Sequence, residues 1–367
     1  MHDPDPFRTA GQAGAAGLWR ALDASANRAA EALRVLEDVV RFVLDDVRLT
    51  GLAKDLRHAL ATVLAQESLR GRVVARDVAG DVGVGLEPEV SPGRRAVDDL
   101  VAANAARAAQ ALRSLAECAA VVAPAAAADF ERIRYRLYAL EQAALTAARA
   151  RDRLRDVSLC VLVDGGPDID AFGRLVATLL DAGVRMLQIR DKSLVVPAVA
   201  DRTARAVALA RRRAEAAAAI VIVNDRADVA VAVGADGVHV GATDLPTTLV
   251  RRVIGPQGLV GRTAHTVDEA AAAAADGADY LGIGPCFPSA TKGFDRFATE
   301  EFLRTVAQEI SLPAFAIGGI TLDQIDALAA LGVSRVAVAS AVTAAADPGG
   351  AAAAFIARLA ALQPASR

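Results

Sequence analysis

Cysteine is scarce and scattered: Cys118, Cys160 and Cys286 are the only three in 367 residues. Such spacing gives neither a disulfide framework nor a CxxC metal clip, which excludes a small secreted scaffold or a zinc ribbon and predicts a reducing, cytoplasmic setting. Aromatic residues make up 4% of the chain, with one Trp, so any core must be aliphatic and much of it alanine, which favours helices. An excess of either charge is also missing. With 41 Lys and Arg against 44 Asp and Glu, the net charge is −3, leaving no broad basic surface to hold nucleic acid or an anionic membrane. No stretch of about 18 apolar residues runs free of charge or turn formers, and the segment MHDPDPFRTAGQ lacks a basic region followed by an apolar one. Neither a membrane span nor an export signal is expected.

What is present divides in two. At 367 residues the chain exceeds the roughly 250 to 300 residues at which one hydrophobic core stops growing, so two domains are expected. From Trp19 to about Arg153 apolar residues recur at three- and four-residue spacing, as in Leu33, Leu36, Val40 and Val43, the period of amphipathic helices. The main break is a glycine- and proline-rich stretch at 71–92, a loop signal. The nonapeptide RAAEALRVL at Arg28 returns as RAAQALRSL at Arg107, 79 residues on, with seven of nine positions identical. Duplication of a helical hairpin explains this, and two hairpins make a helical bundle. The repeated charges (Arg28, Glu31, Arg34; Arg107, Gln110, Arg113) read first as a solvated, ion-paired face, and otherwise as an anion cradle with the loop from Arg76 to Asp81.

Beyond Arg155 short β-branched runs alternate with helical stretches. Strands are expected at 157–163, 186–190, 220–224, 237–240, 259–263, 280–283, 313–317 and 335–339. Eight βα units in about 210 residues suit a (β/α)8 TIM barrel. The predicted architecture is therefore an all-α helical-bundle domain over 1–153 followed by a TIM barrel over 154–367, with an open doubly wound sheet as the rival.

Chemistry in such a barrel sits at the C-terminal ends of the strands, and here nearly every strand ends in polar or glycine residues: Gln188-Ile-Arg190-Asp191-Lys192, Asn224-Asp225-Arg226, His239-Val-Gly241-Ala-Thr-Asp244, Gly261-Arg-Thr263, the run Ser289-Ala-Thr291-Lys292 after strand six, Gly318-Gly319, and Ala339-Ser340. Arg190, Lys192 and Lys292 are donors suited to phosphate oxygens. Asp225 and Asp244 are hard oxygen ligands of the kind Mg²⁺ takes one or two of, alongside water and substrate phosphate. Together they make a diphosphate site by composition. The glycines after strand seven and Ser340 after strand eight match the recurrent barrel phosphate site, so two phosphorylated small molecules are the expected partners.

At these residues the chain resembles the thiamine-phosphate synthases. The markers QIRDK, VNDR, HVGATDLP, GRTAHT, GPCFPSATK, AIGGI and VASAV stand in the family's order between about Val157 and Leu362, and the set is specific where each alone is weak. The resemblance implies a Mg²⁺-dependent transferase that joins hydroxymethylpyrimidine pyrophosphate to thiazole phosphate. It implies that Gln188, Arg190, Lys192, Asn224, Thr263 and Lys292 hold the pyrophosphate, that Asp225 and Asp244 hold Mg²⁺, and that Ser289, Thr291, Gly319, Ala339 and Ser340 contact the thiazole phosphate or the pyrimidine ring. Family members are thought to ionise first, pyrophosphate leaving a pyrimidine cation that the thiazole nitrogen captures, with Arg190, Lys192 and Lys292 the catalytic cations. Ala242 replaces the family's usual glutamine, so any amide contact there is lost.

Plainer readings stand beside these. Asp225 and Asp244 are each suited to cap the following helix. His239 reads as a structural strand-end histidine, Cys286 as packing, and His265 has no assignment. A thiazole tautomerase-like paralogue and a non-enzymatic thiazole-phosphate sensor are the alternatives, both disfavoured by intact pyrophosphate and metal positions. The sequence is compatible with a homo-oligomer and names no role for the helical domain.

Overall fold

The computed structural model describes residues 6–76, 93–213, 219–288 and 296–362, with side chains from residue 15 onward. The chain divides into two compact units, Met1–Ala148 and Arg149–Arg367. The division falls inside the helix Pro124–Arg153; a continuous helix leaves no turn signal in the sequence to mark it.

In the first unit the helix Pro6–Phe42 packs along Val97–Val122 and against Val47–Leu64. The repeat explains the pairing. Ala29, Ala32, Leu33 and Leu36 of one copy and Ala108, Ala111, Leu112 and Leu115 of the other are all buried, so equivalent stripes supply the core. Asp46 caps Val47–Leu64 by accepting from the Leu49 amide at 2.7 Å, which satisfies one of that helix's unpaired first-turn donors. The repeated Arg28, Arg34, Arg107 and Arg113 are exposed. Arg34 pairs with Asp38 at 3.3 Å and Arg113 with Glu131 at 3.2 Å, while Arg76 grips Asp23 through two bonds of 2.6 and 3.0 Å. The rest of the loop assigned to an anion cradle, 77–81, lies outside the described residues. One charge goes deep: Glu37 is 1% exposed and accepts from Arg57 Nε at 2.7 Å.

The second unit is a closed parallel barrel, β1 to β8 in chain order: β1 Leu159–Val163, β2 Met186–Ile189, β3 Ile220–Asn224, β4 Gly237–Val240, β5 Leu259–Ala264, β6 Tyr280–Ile283, β7 Ala314–Ile317 and β8 Val336–Val338. Side chains alternate across the barrel wall. Leu162, Met186, Ile222, Leu259, Tyr280 and Phe315 belong to one buried cluster, and Val223, Val238, Val240, Val250 and Val260 to another that includes helix residues. His239, between Val238 and Val240, therefore points with the first set.

One turn recurs before the even strands. Gly183, Gly234, Gly277 and Gly332 each take positive φ, and the amide after each reaches back five residues to a helix carbonyl, Leu179, Ala230, Ala273 and Leu328, at 2.9 to 3.1 Å. This closure of a helix end needs a residue free to enter the left-handed region. Two of these turns, Gly-Ala-Asp at 234–236 and 277–279, end in an aspartate that accepts a neighbouring strand's amide: Asp236 from Val221 at 2.8 Å and Asp279 from Val260 at 2.7 Å.

Replacing Arg57 with alanine strands the buried Glu37 carboxylate. Because Arg57 itself is 31% exposed, the expected loss is about 2 to 3 kcal/mol, seen as a lower urea midpoint of the full chain. Adding Glu37→Leu should recover most of it; an unchanged midpoint for Arg57→Ala contradicts this account.

Candidate active site

The barrel brings β2, β3 and β4 side by side, and their C-terminal ends carry Lys192, Asp225 and Asp244 to one place. Lys192 Nζ lies 3.5 Å from Asp225 Oδ2, and the Asp244 carboxyl stands near enough to Asp225 to perturb it. Burial, then the neighbouring Asp244, pushes the Asp225 carboxyl above the usual aspartate range, with Lys192 opposing. Two carboxylates this close cannot both ionise freely unless a cation joins them.

Neither aspartate caps a helix. The following helices Ala227–Val233 and Thr247–Ile254 begin at Arg226 and Pro246, with no side-chain cap on either. Asp225 instead stands in the left-handed region, φ 63°, at the centre of a three-residue turn closed by the Arg226 amide on the Asn224 carbonyl at 2.8 Å. Such a turn is rare and strained. Its amide is held by the His239 carbonyl of β4 at 2.8 Å. Asp244 folds back so that Oδ2 accepts from the Gly241 amide at 2.7 Å.

The described residues hold no cluster of three or more His, Cys, Asp or Glu fit to bind a metal. Two neighbouring carboxylates, open toward a cationic lysine, nevertheless match a Mg²⁺ site completed by water and phosphate oxygens rather than by protein.

Beneath this rim a polar chain runs through the barrel. Gln188 (4% exposed) and Tyr280 (2% exposed) are both buried there. The phenol lies 3.3 Å from His239 Nδ1, and His239 Nε2 lies 3.0 Å from Thr263 Oγ1. Burial, then the nearby Arg190 and Arg262, pushes the His239 pKa down to about 4, so the imidazole is neutral near pH 7. Gly261 and Gly282 make room for it. A Cβ at Gly261 would overlap the Tyr280 ring and His239 Nδ1, and one at Gly282 would come within 3.0 Å of His239 Cε1.

The remaining sequence-assigned positions sit where the strand ends place them. Arg190 follows β2, its amide on the Val163 carbonyl at 2.9 Å; Asn224 ends β3, in register with His239. Gly319 follows β7 with φ 65°, so close to the Phe287 and Pro288 carbonyls that a side chain would collide with them. Ala339 and Ser340 are exposed after β8. Ser289, Thr291 and Lys292 lie outside the described residues. Sequence reasoning passed over three residues that shape the rim. Asp191 accepts from Ser193 Oγ and from the Gly165, Ser193 and Leu194 amides at 2.6 to 3.2 Å, and these bonds, Ser193's first, hold its carboxyl below the usual range. Tyr280 reads as a core aromatic in the sequence. His265 Nδ1 donates to the Gly284 carbonyl at 2.6 Å, tying the end of β5 to the start of the segment that leads to Lys292.

Fold and site together define a TIM-barrel enzyme with a lysine and two carboxyl groups gathered at the C-terminal rim. Residues 159–342 match the family described as thiamine monophosphate synthase, and residues 20–143 match the ThiD2 family. A thiamine-phosphate synthase of Rhodopirellula baltica is 40% identical over 335 residues, 88% of each chain. One from Gloeobacter violaceus is 39% identical over 342 residues, 93% of this chain and 97% of that protein. Among solved structures, the thiamine phosphate pyrophosphorylase from Pyrococcus furiosus is 30% identical, covers 57% of this chain and 98% of its own, and superposes with a TM-score of 0.50. The chain belongs to the thiamine monophosphate synthase family. The two longer alignments exceed the barrel unit, so those relatives share the helical unit too.

The neutral His239 has a consequence for acid stability. Above pH 6.5, its ordinary value, folded and unfolded states are both neutral and nothing is lost. As pH falls from 6.5 toward 4 only the unfolded state gains the proton, so stability should drop across that window. His239→Leu should flatten that part of the profile of melting temperature against pH; an identical slope in both proteins contradicts the assignment.

Proposed function

We propose that this chain catalyses Mg²⁺-dependent thiamine-phosphate synthesis: hydroxymethylpyrimidine pyrophosphate and thiazole phosphate give thiamine phosphate and pyrophosphate. The observation that carries this is the meeting of Asp225, Asp244 and Lys192 at one barrel rim, in a chain of this family.

The pyrimidine carbon loses pyrophosphate first, and the thiazole nitrogen captures the resulting cation. Negative charge therefore grows on the departing oxygen, and catalysis lies in stabilising it. Lys192 suits that role because its side chain is 66% exposed and, among the described residues, is paired with Asp225 alone. An exposed pair of this kind adds little to stability, so the lysine is free to turn to a phosphate. Arg190, Asn224, Gln188 and Thr263 orient the diphosphate from the strand ends, and Lys292 adds a third cation. Asp225 and Asp244 would hold Mg²⁺, which neutralises phosphate charge when bound. Gly319, Ala339 and Ser340 receive the thiazole phosphate with Ser289 and Thr291, backbone amides being suited to a phosphate.

A reducing, cytoplasmic setting suits the three free cysteines, two of them buried, and no described helix is long and apolar enough to cross a membrane.

Incubation of the full chain with both substrates and Mg²⁺ should give thiamine phosphate and pyrophosphate in equal amounts. Well-folded protein that forms neither rejects the reading, and isomerisation of the thiazole alone would favour the tautomerase alternative. Chelation with EDTA should stop turnover and added Mg²⁺ restore it. Asp225→Asn and Lys192→Ala should each lower kcat/KM by roughly 100-fold or more, with Lys192→Ala leaving the melting temperature nearly unchanged. Wild-type kinetics in Lys192→Ala would contradict the site.

A further inference from the structure

Building on the synthase reading, we infer that His239 is a positioning residue that fixes the direction of the Thr263 hydroxyl through a one-way hydrogen-bond chain that starts at Tyr280. The direction follows from donor counting. Burial keeps the Tyr280 phenol protonated, and the acceptor within its reach is His239 Nδ1 at 3.3 Å. An Nδ1 that accepts places the ring proton on Nε2. Nε2–H then donates to Thr263 Oγ1 at 3.0 Å. A hydroxyl oxygen so engaged keeps its own proton to give away, so Thr263 donates onward, toward an anionic substrate. In the reverse sense Thr263 would spend that proton on the imidazole and present only an acceptor to a phosphate oxygen.

The surroundings are built for this ring. Gly261 of β5 and Gly282 of β6, the next two strands round the barrel, are positions where a side chain would meet it. His239 and Tyr280 stack at 5.5 Å between centroids, and Tyr280 rests edge-on against Phe315 at 5.7 Å. The imidazole has one orientation available, and the backbone carbonyl of the same residue holds the Asp225 amide at 2.8 Å. Any buried histidine needs partners for its ring nitrogens; here one of those bonds ends on Thr263, assigned to substrate binding.

The test is a double-mutant cycle read in kcat and in KM for the pyrimidine pyrophosphate. His239→Leu should lower kcat by roughly tenfold, the worth of one oriented hydrogen bond, and Thr263→Ala by a similar factor. The double variant should match Thr263→Ala alone, because His239 acts through that hydroxyl. His239→Gln, whose amide can reach the Nε2 position as a donor, should recover part of the loss. Additive losses, or full activity in a folded His239→Leu, overturn the inference. Should His239→Leu fail to fold, Tyr280→Phe removes the upstream donor alone and should show the same dependence on Thr263. Long-range ¹H–¹⁵N spectra of the wild-type protein need no turnover and so separate this inference from the synthase reading: His239 should be the Nε2–H tautomer at pH 7, and an Nδ1–H signal overturns the inference whatever the enzyme makes.

Discussion

The site depends on two carboxyl groups brought close together at the end of β3 and β4. Nothing about folding favours that approach. Asp225 adopts left-handed backbone at φ 63°, a conformation costing of order 1 to 3 kcal/mol where the surroundings do not demand it, and its carboxyl is raised by burial and by Asp244. Both costs disappear from consideration only if something cationic belongs between the groups. Lys192 answers part of the charge from 3.5 Å, but one exposed ammonium does not relieve two carboxylates. On the proposed function, that unbalanced charge would give a divalent ion a reason to bind here, and a diphosphate a reason to follow it.

The polar chain under the rim holds the pair in place. The carbonyl of His239 pins the Asp225 amide while its ring reaches Thr263, so one residue of β4 touches both the Asp225 turn and the Thr263 hydroxyl. Burial keeps that ring neutral, with a pKa of about 4. A charged imidazole would have no acceptor for the Tyr280 proton and would repel the cations needed at the rim. Desolvation, usually a destabilising term, here fixes the protonation state that makes the chain directional.

Much of this was legible in the sequence because strand ends announce themselves. Where Ile220 to Val223 give way to Asn224-Asp225, burial ends and chemistry begins, and the strand limits are found within a residue or two. The helical repeat was legible for a similar reason: buried Ala and Leu positions recur at one spacing. Other features were not. His239 between two valines looks like a core position with a polar exception, and only the closed barrel shows that its ring meets residues of β5 and β6. Gly261 and Gly282 read as strand weaknesses until the space they clear is seen. Asp191, in the same short segment as Arg190 and Lys192, proves to be a turn-builder satisfied by three amides and a hydroxyl.

Aspartate therefore means opposite things at the two ends of one barrel. Asp236 and Asp279 precede β4 and β6, each takes a neighbouring strand's amide, and each is paired with an arginine, Arg211 and Arg251; their bonding is local and closes the sheet. Asp225 and Asp244 follow β3 and β4 and face each other, with one amide donor between them. Residue type and helical spacing cannot separate these cases, since any of the four could have been a cap. What separates them is how far the surrounding chain satisfies the carboxylate. Asp236 and Asp279, at the N-terminal ends of the strands, are satisfied and hold the fold together; at the C-terminal ends Asp191 is satisfied within its own turn, whereas Asp225 and Asp244 keep capacity that, on the proposed function, metal and substrate would take up.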